Sequence, residues 1–282
     1  MIANAVKRVG DAVSEGRNFS LGKDRWTRFA LSALGVILFV VLWEAVISGF
    51  GLNTRYFPSP TTTWTELQRI WQPVLTVLPK TLQAAGVGYL LALALSIAVA
   101  IPLVASDRVL NAIMPFIIGI NTVPRVAMTP LVIYWVGFMG GVPQATANYI
   151  LALWVAFFPM LIAAIDGFRS IDESTENMLA LYGATTFQEF RYVRFKRGLP
   201  FIFDGMKIGF VLAMIGAVVG EFVSGTFGIG SQAASAIGRT SISRAFAIVL
   251  VLGFISTAVV LAVYLIESRM IFWRESSIVG GE

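Results

Sequence analysis

The sequence contains no cysteine and no histidine. These two absences remove disulfides, thiol nucleophiles, iron–sulfur ligation, the imidazole general base and the usual ligands of zinc and copper. Charge is scarce as well. Twenty-one basic and 16 acidic side chains make up 13% of the 282 residues, about half the ~25% of a typical soluble domain. A water-soluble globule of this length needs more polar surface than that. The sequence therefore predicts no catalytic residue and no metal site. In place of charge there is apolar bulk: 57% of residues are hydrophobic and the mean hydropathy is +0.78, an excess that must face the lipid bilayer. The net charge of +5 would suit nucleic acid only if the basic residues clustered on a folded face. They sit instead at the ends of hydrophobic segments, so no nucleic-acid partner is expected.

A helix crossing the hydrocarbon core needs about 20 apolar residues, because every backbone polar group must be satisfied within it. Six stretches qualify, at 30–50, 81–106, 109–137, 144–165, 201–222 and 245–266. The third holds Pro115, Pro124, Pro130 and the charged Arg125, which predicts a broken helix. Basic residues mark the cytoplasmic side. They crowd the N-terminal tail (Lys7, Arg8, Arg17, Lys23, Arg25, Arg28), the segment after span four (Arg169, Arg191, Arg194, Lys196, Arg197) and the C-terminal end (Arg269, Arg274), with Arg108 after span two. The opposite side has only Arg55, Arg69, Lys80, Arg239 and Arg244. The expectation is an all-α polytopic membrane protein with both termini cytoplasmic: a tail over 1–29, one six-span domain over 30–270, and a second tail over 271–282. No cleaved signal peptide is expected, since a long polar stretch precedes span one. The external connector, 51–80, should contain a short amphipathic helix with Trp64, Leu67 and Trp71, its Trp residues at the membrane interface.

The cytoplasmic segment 166–200 is too patterned for a simple turn. Ser170-Ile171-Asp172-Glu173 and Thr186-Phe187-Gln188-Glu189 each fit a capping box. They predict one helix ending at Gly183, and a second that places Phe187, Phe190 and Val193 or Arg194 at three-residue spacing before Leu199-Pro200 breaks the chain. An ionisable residue inside a span costs several kcal/mol unless it faces protein or water. That makes Arg125, beside Asn121 and Pro124, a candidate for an anion pathway. Glu221, followed by Ser224, is a candidate external gate, with pairing to Arg239 or Arg244 as the alternative. Glu44 should pair within the bundle. Gly205, Gly209, Ala213 and Ala217, with Gly216 and Gly220 alongside, form a small-residue stripe suited to close helix packing. No Walker motif is present: between Gly16 and Gly22-Lys23 stand five residues, and Asp24 replaces the Ser or Thr that binds magnesium. Gly228-Ile229-Gly230 mimics a dinucleotide fingerprint but has no strand before it.

Glu176-Asn177-Met178-Leu179-Ala180-Leu181-Tyr182-Gly183-Ala184, with Val193 and Leu199-Pro200, resembles the cytoplasmic "EAA" loop of membrane subunits of ATP-binding cassette importers. Pro124-Arg125-Val126-Ala127-Met128-Thr129-Pro130-Leu131 with Trp135-Val136-Gly137, Gly220-Glu221-Phe222 with Gly228-Ile229-Gly230, and the stretch from Glu267 to Trp273 are similar to the nitrate, sulfonate, taurine and bicarbonate group of such permeases. Two positions depart from the pattern. Asn177 stands where the motif usually has its acid, and Phe195-Lys196 replaces a first Leu-Pro. The resemblance implies the type I importer permease fold in a bacterial plasma membrane. It also implies two copies of the permease, two cytoplasmic ATPases carrying ATP and magnesium, and an extracytoplasmic binding protein. Coupling to the ATPase would use Glu176, Ala180, Gly183, Ala184, Phe187, Val193, Leu199 and Pro200, while Asn121, Pro124, Arg125, Glu221 and Ser224 would belong to the pathway of a small anionic solute. An ion-gradient carrier is the alternative; it predicts acidic or histidine relays and an inverted repeat, neither of which is visible.

Overall fold

The computed structural model describes residues 25–54 and 56–271, with side chains from residue 30 onward. The tail over 1–24 with its near-Walker stretch, Arg55, and the segment 272–282 with Trp273 and Arg274 lie outside the described residues. Every regular element described is helical: α1 (Arg25–Gly49), α2 (Pro60–Val104), α3 (Asp107–Asn121), a 3₁₀ turn (Arg125–Met128), α4 (Thr129–Phe138), α5 (Thr146–Arg169), α6 (Glu173–Leu181), α7 (Thr186–Glu189), a π turn (Phe190–Arg194), α8 (Phe195–Ser224), α9 (Ile229–Gly238) and α10 (Ile242–Met270). Five helical stretches are long and apolar enough to cross a membrane: α1, α2, α5, the run Thr186–Ser224 and α10. The pair Asp107–Asn121 and Arg125–Phe138 passes the same requirement only together, bent by 77°. The bent pair occupies the stretch expected to be the third span and is broken at its prolines, which gives five or six candidate spans.

The external connector differs from expectation. Its amphipathic helix is no separate piece: α2 runs 45 residues without interruption from Pro60, about 67 Å at 1.5 Å per residue. Ser59 starts it by accepting the Thr62 N–H at 3.3 Å, while the Thr62 hydroxyl accepts the Ser59 N–H at 3.0 Å, and Pro60 follows at the first helical position, where no N–H is needed. Glu44 of α1 completes the cap, accepting from the Thr61 N–H at 3.1 Å and the Thr61 hydroxyl at 3.0 Å. The carboxylate in span one thus neutralises the orphan donors of the next helix. Pro73, Pro79 and Pro102 lie inside α2, and Pro200 inside α8. Packing against neighbouring helices carries these helices past their prolines: Val74 and Val77 of α2 and Gly198 and Ile202 of α8 are buried. Leu199-Pro200 accordingly does not break the chain, and the second loop helix runs through the π turn straight into span five.

The core is α5 held between α2 and α8. A Cβ placed on Gly88 of α2 would stand 2.5 Å from Ala152 Cβ and 2.9 Å from Tyr149 O; one on Gly216 of α8 would stand 2.5 Å from Leu151 O. Gly205 meets Ala163, and Gly220 meets Asn148 and Leu151. The small-residue stripe is therefore a packing face. Lipid tails are as apolar as leucine, so close backbone approach supplies attraction that the hydrophobic effect cannot. Around this contact lie Ala85, Ala92, Ala156, Phe210, Ala213 and Ala217, all buried. At the opposite end of α8, Lys207 reaches Glu267 of α10 at 2.7 Å. Gly216→Ala should destabilise the purified protein by about 2 kcal/mol, since backbone must move, whereas Gly253→Ala, with open space around it, should match or exceed wild type. Thermal inactivation in mild detergent reads both.

Candidate translocation and coupling site

Three features bear on transport. The first is the break between α3 and α4. Residues 122–124 leave helical geometry, and the 3₁₀ turn presents Arg125 back toward the end of α3, where its guanidinium donates to the Asn121 side-chain oxygen. The Arg125 Nε is buried without a hydrogen-bond partner, and no carboxylate pairs with Arg125 among the described residues. The residue lines a cavity of about 180 Å³ whose walls include Val126, Thr129, Leu151, Val155, Ile215 and Val219. An uncompensated guanidinium in apolar surroundings is a source of positive potential. Asn121 is half-buried and Pro124 exposed.

The second feature is Glu221. It is 1% exposed and lies far from the surface pairing anticipated from sequence: Arg244 bonds Glu66 instead, at 3.2 Å. One Glu221 oxygen accepts from the Thr81 hydroxyl at 3.0 Å and from the Gly230 N–H at 2.8 Å, while the Thr81 oxygen accepts the Ile229 N–H at 2.9 Å. Two first-turn donors of α9 are thereby satisfied by α8 and α2 together, the favourable end of a helix for a carboxylate. Any side chain on Gly228 would collide with this carboxylate. The Gly228-Ile229-Gly230 sequence is thus the cradle of an internal acid. Ser224 turns the chain beyond α8, accepting the Thr226 N–H at 3.3 Å, and Asn148 of α5 donates to the Thr226 hydroxyl at 2.8 Å.

The third feature is the segment 166–200. Ser170 does not cap α6. Its hydroxyl closes α5 on the Gly167 carbonyl at 2.7 Å, and Asp172 accepts the Thr175 N–H at 3.1 Å as the actual cap. Hydrogen bonds from Ser174, then Thr175 and Arg197, hold the Asp172 carboxyl well below the usual carboxylate range. The second cap is likewise shifted by one residue. Thr185 and Gln188 exchange bonds at 3.3 and 2.9 Å, because Glu189 is taken by Arg194 at 2.5 Å. Arg194 also bridges to Glu176 at 2.9 Å and reaches the Phe168 carbonyl at 3.4 Å, and Arg197 meets Asp172 at 2.6 Å. Gly183 follows α6 at φ +70°, a left-handed position that suits glycine. Phe190 packs edge-on against buried Phe168, with centroids 5.0 Å apart. What is left outward is apolar: Leu181 is 88%, Tyr182 84% and Phe187 70% exposed, with Ala180 beside them. Ala184 and Val193 are half-buried, and Leu199 packs beneath the loop beside Phe203.

Sequence reasoning missed Thr81, Arg194 and the cradle glycines. Thr81 was the first residue of a charge-free span with nothing local to mark it. Arg194 was one basic residue among five.

A bent, proline-broken crossing beside a close-packed helix trio, with an exposed apolar knob on one connecting loop, defines a transport subunit that works with partners. Residues 91–272 match the family model described as binding-protein-dependent transport system inner membrane component, and the chain belongs to that family. It is similar to the riboflavin transport system permease protein RibX of Chloroflexus aurantiacus, 31% identical over 88% of this chain and 93% of that one. It is also similar to the formylaminopyrimidine transport permease protein ThiX of Halalkalibacterium halodurans, 25% identical over 85% and 94% of the two chains. A third relative is the putative aliphatic sulfonates transport permease protein SsuC of Bacillus subtilis, 26% identical over 84% and 85%. The chain is a multi-pass permease subunit of an ATP-binding cassette importer, a transport component that acts with an ATPase and a binding protein. The comparisons lend no support to an ion-gradient carrier.

Thr81→Val should leave the Ile229 N–H unpartnered and withdraw a donor from Glu221, costing about 1 to 3 kcal/mol. Thr81→Ser keeps both bonds and should restore the wild-type inactivation temperature.

Proposed function

We propose that this chain builds half of a pathway for a small anionic solute and transmits force to it from a cytoplasmic ATPase through residues 166–200. The observation that carries the reading is the ion-paired loop with its outward apolar knob. Five charged side chains, Asp172, Glu176, Glu189, Arg194 and Arg197, are spent on holding α6 and α7 against the ends of α5 and α8. Leu181, Tyr182 and Phe187 are left exposed among the described residues, an arrangement suited to a socket on another protein. Gly183, Ala180 and Ala184 shape the knob; Val193, Leu199 and Pro200 join it to span five. Glu176 acts inside the loop, orienting Arg194.

Taking the bent pair as the third crossing puts both termini in the cytoplasm of a bacterium, with the chain in its plasma membrane. Two permeases, a homodimer in the simplest arrangement, would pair with two ATPases that carry the ATP and magnesium. Arg125, held by Asn121 at the break that Pro124 creates, supplies positive potential to the path. Glu221 closes the external end through α9, with Ser224 turning the chain behind it. The aliphatic sulfonate permease among the relatives agrees with an anion. A neutral heterocycle is the second reading, favoured by the likeness to a riboflavin permease.

The test is reconstitution with the ATPase in vesicles. Gly183→Val forces a β-branched residue to positive φ and should lower the solute moved per ATP hydrolysed at least about fivefold; an unchanged ratio counts against the coupling role. Arg125→Gln should reduce anion uptake about tenfold or more. Full uptake of an anion by this variant removes the pathway role, and full uptake of a flavin selects the heterocycle.

A further inference from the structure

The basic residues of the external side are not scattered. A cavity of about 440 Å³ opens between the loop after α1, the first turns of α2 and the connection from α9 to α10. Arg69 and Arg239 line it, together with Glu66 and the hydroxyls of Thr62, Thr65 and Ser241. Glu66 receives Arg69 on one oxygen at 3.0 Å and Arg244 on the other at 3.2 Å. Arg239 makes no ion pair among the described residues and is exposed. Glu44, across Thr61, is already engaged by two donors of that residue. Glu66, the one carboxylate of the lining, is thus shared by Arg69 and by Arg244 from beside the cavity, which leaves the charge of Arg239 in excess at the mouth.

The rim is built to hold its shape. Thr240 sits at φ +55°, an uncommon conformation for a β-branched residue, so the corner carrying Arg239 is set by its surroundings. Ser243 donates to the Thr54 carbonyl at 3.1 Å and ties this corner to the loop after α1. Neither the Arg125 cavity nor the loop 166–200 shares a residue with it.

Which occupant such a cavity takes follows from screening. Arg69 has 72% of its side chain exposed, and a free monovalent anion beside guanidiniums in water gains about 1 kcal/mol or less. The same cluster acts strongly on a macromolecule that presents several carboxylates at once, by speeding its encounter and setting its orientation. We infer that this cavity is the docking socket for an acidic edge of the extracytoplasmic binding protein, with Arg239 as the unoccupied point of capture. The inference rests on the importer reading above and adds to it the place and the chemistry of contact.

The experiment uses the complete importer in vesicles and, as probe, the binding protein that raises its ATP hydrolysis. Half-saturating concentrations of this protein are measured from 20 to 300 mM NaCl for wild type, Arg239→Glu, Arg239→Lys and the Arg69→Gln, Arg239→Gln double variant. The expected result is a rise of about tenfold for Arg239→Glu at low salt with a flattened salt dependence, and recovery with Arg239→Lys. If the binding protein stimulates wild type and all variants at the same concentration and salt slope, the socket is overturned while the importer reading stands. If no binding protein stimulates wild type, the importer reading falls and the socket with it. If sulfate in place of chloride at equal ionic strength shifts the wild-type midpoint and Arg239→Glu does not respond to the binding protein any differently from wild type, the cavity takes free oxyanions and the docking assignment is wrong.

Discussion

The structure depends on how closely α5 can approach its two neighbours. Inside a membrane nothing drives one apolar helix against another except dispersion between surfaces that fit and hydrogen bonds that lipid cannot offer. Gly88 on one side and Gly205, Gly216 and Gly220 on the other bring backbone within reach of backbone along much of α5. The alanines at 85, 92, 156, 213 and 217 fill what remains. Larger side chains close the gaps between these contacts, Tyr89 of α2 meeting Phe210 of α8 edge-on at 5.4 Å.

Onto this rigid trio the polar groups are fastened at helix ends. Glu44 seals the start of α2, Thr81 with Glu221 seals the start of α9, and Asp172 seals the start of α6. Each carboxylate lies where a helix exposes donors, which is the least costly place for an acid in or near lipid. Lys207 with Glu267 ties α10 to the other end of α8. Arg125 is the exception. Its side chain finds only Asn121, and its Nε remains unsatisfied among apolar neighbours. A buried donor left without a partner is costly, and Arg125 shares that condition with the hydroxyls of Thr63 and Tyr89, but it alone of the three carries a charge.

The loop between α5 and α8 applies the same economy of contacts to a different end. Its charges face one another, and its largest apolar side chains face outward. Continuity of α7 through the π turn into α8 puts Phe187, Gly216 and Glu221 on one helical path. The same helix lines the Arg125 cavity with Ile215, Gly216 and Val219.

Periodicity and charge placement alone determined that the chain is helical and membrane-spanning, where its six apolar stretches lie, that the third is broken, that α6 ends at Gly183, and that the stripe on span five is for packing. These features are local: a run of about 20 apolar residues, a proline cluster or a glycine after a helix has nearly the same meaning whatever surrounds it. The sequence pattern misplaced both loop caps because Ser170 and Asp172, and Thr185 and Thr186, compete for the same role within two residues. The winner was chosen by Gly167 and Arg194, neighbours in space. Pro200 read as a break, yet the packing of Gly198 against Phe168 keeps it in a helix. Only the tertiary structure decided the partners of Glu221. Thr81 stands 140 residues away from it along the chain, and a carboxylate's partner is fixed by which helices pack together, information that no local pattern carries.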